Sequence, residues 1–185
     1  MKKDSKELQY ILDYVFEHYI EADITDEQRA EVEAGYNQIK EILGMVHKQE
    51  FLKEVKEGKW FQTKDKQGRK SLIKLGVNHK DNELMILWLS NKDPESMAYS
   101  DVKESSFELN NGVLTINEAF SYHFGLMEPG NDCIYDAEGV LDESKLKEVV
   151  LRNSHNGFVS ESEFDDMWAS LKAGAISSIP FLEVR

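Results

Sequence analysis

Glu83-Leu84-Met85-Ile86-Leu87-Trp88-Leu89-Ser90 carries six apolar residues in a row. The run is too short to cross a bilayer, which takes about 20 residues, and it lacks alternation, so whatever it forms must be covered on both faces. It therefore reads as the central strand of a sheet with material packed on either side. Working backwards, Lys59 to Thr63 and Arg69 to Val77 read as two more strands. They are joined by the polar turns Lys64-Asp65-Lys66-Gln67-Gly68 and Asn78-His79-Lys80-Asp81-Asn82. As neighbours of the central strand they are expected to be more exposed than it. Working forwards, Asn91 to Asp101 reads as a loop carrying Pro94, and Asn111-Gly112 supplies the two positive-φ residues of a type I′ hairpin. A two-residue loop there pairs Leu109 with Leu114 and Phe107 with Ile116 on one face, and Glu108 with Thr115 on the other.

On either side of this β-rich segment the period changes to that of helices. Asp4 and Glu7 have capping-box spacing ahead of Leu8, Ile11, Leu12, Val15, Phe16 and Tyr19. Thr25 and Gln28 repeat the signal ahead of Val32, Tyr36, Ile39, Ile42 and Leu43, with Gly44 placed to end that helix and a third piece at Gln49 to Glu57. Late in the chain, Gly139-Val-Leu-Asp-Glu-Ser-Lys-Leu146 is echoed by Gly157-Phe-Val-Ser-Glu-Ser-Glu-Phe164. Each copy reads as a turn, a cap at Asp142 or Ser160, and an amphipathic helix, the second ending at Gly174. Ala175 to Val184 reads as a possible edge strand, since Pro180 cannot donate a ladder hydrogen bond. The expected architecture is one α+β domain over 1–185: a helical layer (1–58), a mixed or antiparallel sheet of about five strands with the Asn-Gly hairpin (59–117), and a loop, two helices and the possible edge strand (118–185).

The chain holds 35 acidic residues against 22 basic ones, a net charge of −13. Residues 1–58 balance at −6, 59–117 at +1 and 118–185 at −8. Such a surface repels phosphate backbones and anionic lipid, so generic nucleic-acid or membrane binding is not expected and a basic protein partner is. Alternatively the charge serves solubility alone. A lone cysteine, Cys133, and the absence of a signal-like N-terminus point to a cytoplasmic protein.

Chemical signatures are sparse. Asn156 to Phe164 resembles the second half of a calcium loop, with Glu163 at the closing position, but Arg152 falls where the first carboxylate belongs. The five histidines are scattered without metal spacing, and no cofactor, metal or catalytic set is expected. Two patches stand out. Lys59, Trp60, Lys64, Lys66, Arg69 and Lys70, with Lys74 and Lys80, form a basic segment that could bind an anion, or whose lysines guard a sheet edge or pair with helix acids. Glu161, Asp165 and Asp166 offer an acidic face for a partner. The expected function is an acidic interaction module, an inhibitor or immunity-type protein binding a basic partner. The other reading is a small-ligand protein or hydrolase-like enzyme with a pocket near His123, Glu128 and Cys133.

Overall fold

The computed structural model describes residues 5–20, 24–78, 80–81, 83–93, 97–117, 120–123, 133–154 and 157–185. The chain divides into two compact units, Met1–Lys53 and Glu54–Arg185.

The first unit is helical. α1 spans Ser5–Ile20 and α2 spans Asp26–Val55, whose last two residues belong to the second unit. Asp4 lies outside the described residues, but the second start signal is present as reciprocal bonds: Gln28 N donates to Thr25 Oγ1 (3.2 Å) and Thr25 N to Gln28 Oε1 (3.0 Å). Gly44 does not end the helix; the expected third piece is the continuation of α2. One glycine inside a helix costs only about 1 kcal/mol, and good helix formers on both sides of Gly44 outweigh it. Phe16 stacks on Tyr36 at 3.9 Å, and Tyr36 donates its hydroxyl to Asp13 (2.6 Å), tying the two helices together.

The second unit is α+β. β1 (Lys59–Lys64), β2 (Lys70–Asn78), β3 (Glu83–Leu89), β4 (Ala98–Val102) and β7 (Phe120–His123) form an antiparallel five-stranded sheet in that order, so β3 is central as expected. β2, however, is buried at every position from Ser71 to Val77, so the expectation that it would be more exposed than β3 is corrected. It lies between two strands and its two faces are both covered, although Lys74 breaks its apolar run. The expected loop to Asp101 is also corrected: its last four residues belong to β4, which extends the sheet from Ala98.

The Asn-Gly hairpin forms with the expected register, Phe107↔Ile116, Glu108↔Thr115 and Leu109↔Leu114. Asn111 and Gly112 both have positive φ, 51° and 78°. Its strands β5 (Phe107–Asn110) and β6 (Val113–Ile116) belong to a separate sheet, completed by the two-residue β8 (Glu183–Val184) running parallel to β6. The expected terminal edge strand is thus reduced to β8, with Phe181 bridging Gln62 of β1 just before it. α3 (Glu143–Asn153) and α4 (Glu161–Ala173) start at Asp142 and Ser160, and Gly174 closes α4 in the left-handed conformation. Their buried faces, Leu146, Val149 and Val150 with Phe164, Trp168 and Leu171, share a core with Leu72, Leu87 and Leu89 of the sheet.

Candidate functional site

Lys74 is the residue that the strand pattern leaves unexplained. It sits in SLIKLGV, directly across from Trp60 on β1 and Leu87 on β3, on the face of the sheet that meets α4. Its side chain is only 5 % exposed. An ammonium in such a place needs a counter-charge and hydrogen-bond acceptors. Glu163 Oε1 accepts from Lys74 Nζ at 2.6 Å and from the Trp60 indole at 2.6 Å, and the Phe158 carbonyl accepts a second bond from Lys74. The other carboxylate oxygen of Glu163 accepts from Ser160 N, completing the capping box of α4. Burial pushes the Glu163 carboxyl up, but the bonds from Lys74 and Trp60, the Lys74 charge and the Ser160 amide together hold it below its ordinary value.

Gly76, two residues along β2, makes room for this arrangement. A Cβ there would meet the Phe158 ring at 2.3 Å. The ring therefore lies against bare backbone, with the Lys74 ammonium 5.0 Å from its centre and 5.8 Å from the Trp60 ring. Beside the cluster opens a cavity of about 500 Å³, whose lining includes Lys56, Lys74, Lys80, Met85, Phe158 and Glu163. Cys133 does not line it. His123 ends β7, Glu128 lies outside the described residues, and half-buried Cys133 makes a long contact, 3.5 Å, to the Tyr135 carbonyl. The expected pocket around His123, Glu128 and Cys133 therefore falls largely outside the described residues. Glu163, the closing position of the calcium-loop resemblance, is committed to Lys74 and Trp60, and Ser154 Oγ donates to Val150 O. Among the described residues no cluster of three acids, histidines or cysteines is placed to hold a metal.

The basic segment is divided by the fold. Lys59 pairs with Glu54, Arg69 with Asp65 (2.9 Å) and more distantly Asp93 (3.9 Å), and Lys74 with Glu163. The Trp60 indole donates to Glu163. Lys64, Lys66 and Lys70 are exposed at the hairpin end, with Lys64 and Lys70 directly opposite each other. The acidic face on α4 is also partly occupied from within: Lys147 of α3 reaches both Glu161 and Asp165 at 2.8 Å. These bonds, Asp165 first, raise the Lys147 pKa. Lys172 bonds Glu143 at 2.6 Å and lowers that carboxyl's pKa, while Asp166 stands exposed on α4.

Among the described residues, exposed large apolar side chains concentrate in the helical unit. Leu8, Ile11, Val15 and Tyr19 fall at i, i+3, i+7 and i+11 on α1, and Ile39, Ile42 and Val46 at i, i+3 and i+7 on α2. Each is between 37 and 55 % exposed. Tyr10, Tyr14 and Met45 add 72, 54 and 54 %. The periodicity is readable in the sequence, and it suggests core; its exposure is not, because a hydrophobic stripe looks the same whether its partner is in the chain or outside it. No described helix is long and apolar enough to cross a membrane. Set beside protein-family models, curated proteins and solved structures, the chain matches none.

Proposed function

We propose that the protein is a stoichiometric protein-binding module whose binding surface is the pair of apolar stripes on α1 and α2, and whose partner presents an amphipathic, basic helix. The exposure of those stripes is the observation that carries the reading. At roughly 150–200 Å² for each large side chain when fully exposed, the seven stripe residues at their fractional exposures offer on the order of 600 Å². That is the upper end of the largest apolar patch on a typical monomer, about 300–600 Å², and most of the ~800 Å² that each partner contributes to a standard interface.

Charge selects among occupants. Residues 1–53 hold 12 Asp/Glu against 7 Lys/Arg, so a second copy would bring like charge to the contact and an anionic membrane would be repelled. A helix with an apolar stripe and lysine or arginine flanks meets both features, in the manner of helix-in-groove recognition. Capture of this kind is how an inhibitor or immunity-type protein acts, and the lone cysteine and acidic composition suit a cytoplasmic setting.

The test is a calorimetric titration of the full chain with a synthetic leucine–lysine amphipathic helix, its leucine–glutamate counterpart, and zwitterionic lipid vesicles. The expected result is saturable one-to-one binding of the lysine helix alone, weakened by salt and abolished by the triple variant Ile11→Ser/Val15→Ser/Ile42→Ser. A stable homodimer by light scattering, equal binding to vesicles, or undiminished binding by the triple variant would overturn the proposal.

A further inference from the structure

From the cavity beside Lys74 we infer a second binding site, distinct from the helix pair and contained within residues 54–185, that takes a small organic anion with a flat apolar body. Three features place it. First, an ammonium carries three hydrogens, and the Lys74 bonds within the protein go to two oxygens, Phe158 O and Glu163 Oε1. The remaining donor belongs to a charged group that is 5 % exposed and lines the cavity, so an anionic oxygen reaching it gains a charge-assisted bond. Second, Lys56 and Lys80 are exposed on the same lining, against Glu57. With Lys74 and Glu163 cancelling, the cavity keeps a positive balance inside a chain of net charge −13, and a concave surface of that sign concentrates anions. Third, Met85, Val77 and Phe158 supply apolar wall, and about 500 Å³ lies within the range of small-molecule pockets.

The recognised chemistry is therefore a phosphate or carboxylate head directed at Lys74 and the two outer lysines, with a planar group against Phe158 and Met85. The capping box of α4 occupies its own first-turn donors with Ser160 and Glu163, so the anion is held by side-chain cations rather than by a helix terminus. Glu163 is not a competing ligand here; it fixes the Lys74 ammonium at the cavity wall.

Phenyl phosphate, benzoate, inorganic phosphate and benzylamine are the probes, titrated into the full chain and followed by calorimetry and by tryptophan fluorescence. Phenyl phosphate should bind saturably, with benzoate weaker, inorganic phosphate at least tenfold weaker than phenyl phosphate, and benzylamine not at all. Lys80→Ala and Lys56→Ala should each weaken phenyl phosphate about two- to fivefold, and Lys80→Glu more strongly, while leaving the helical unit's titration with the leucine–lysine helix unchanged. Lys74→Met removes the buried donor and should abolish binding; because that change also strikes the core, the exposed Lys80→Glu variant keeps the inference testable if Lys74→Met does not fold. Absence of saturable binding by both aromatic anions, or binding indifferent to Lys80→Glu, would overturn it.

Discussion

Replacing Glu163 with alanine removes the counter-charge of an ammonium that is 5 % exposed, one of two acceptors of the Trp60–Lys74 pair of donors, and half of a capping box. Breaking a fully buried pair from one side costs about 3–5 kcal/mol. Glu163 is itself 29 % exposed, so water can reach the gap, and the pair's share is better placed at about 2–3 kcal/mol after screening. The lost box adds about 0.5–1 kcal/mol. With a urea slope of roughly 2 kcal/mol per molar, the unfolding midpoint of this unit should fall by about 1–2 M. Lys74→Met combined with Glu163→Gln removes both charges and should recover most of the loss, because an apolar replacement of a buried pair is commonly neutral. The pH dependence gives an independent check. The Glu163 carboxyl is held below its ordinary value of 4.5 in the folded protein. Its contribution is therefore complete above that value and disappears as pH falls through the lowered one. The advantage of the native protein over Glu163→Gln should shrink steadily as pH drops below the mid-fours. A single alanine variant within about 0.5 kcal/mol of the native protein, in the range of an ordinary surface change, would show that the cluster contributes nothing to stability.

Other outcomes follow from local geometry. Gly76→Ala should cost about 1–3 kcal/mol by overpacking, since its Cβ would stand 2.3 Å from the Phe158 ring, and Phe158→Leu should relieve part of it in a double variant measured by urea unfolding. Gly112→Val should destabilise the hairpin by about 1–2 kcal/mol through backbone strain alone, because φ is 78° and nothing lies within 4 Å of a Cβ there; an unchanged melting curve would refute the turn assignment. Lys147→Ala should leave the thermal unfolding curve nearly unchanged despite its two carboxylate partners, because exposed ion pairs are screened by water, and a clear drop in melting temperature would contradict that.

The parts of this fold that were legible in the sequence are those set by neighbours along the chain. The Asn-Gly turn dictates its own register through positive φ, and Thr25–Gln28, Asp142 and Ser160 satisfy amides only three residues away. What was not legible depends on partners far off. Gln62 meets Phe181 across more than a hundred residues, and the hairpin joins β8 rather than the sheet that precedes it. Gly44 stops nothing because stopping a helix needs a competing conformation beyond it, and α2 simply continues.

Charge is where reading by segment falls furthest short. Counted along the chain, Lys59 to Lys80 shows seven cations facing only Asp65, and residues 118–185 show an acidic excess. In space the two are partly the same feature: Glu163 comes from the acidic segment to the most buried lysine of the basic one, Glu54 and Asp93 come to Lys59 and Arg69, and Lys147 takes up Glu161 and Asp165. Two clues were nevertheless present. A lysine inside SLIKLGV has no place in a buried strand without a distant acid, and a glycine two residues later marks where another group comes close. Read together, Lys74 and Gly76 call for a carboxylate and a bulky neighbour arriving from the same segment, and Phe158 and Glu163 are five residues apart.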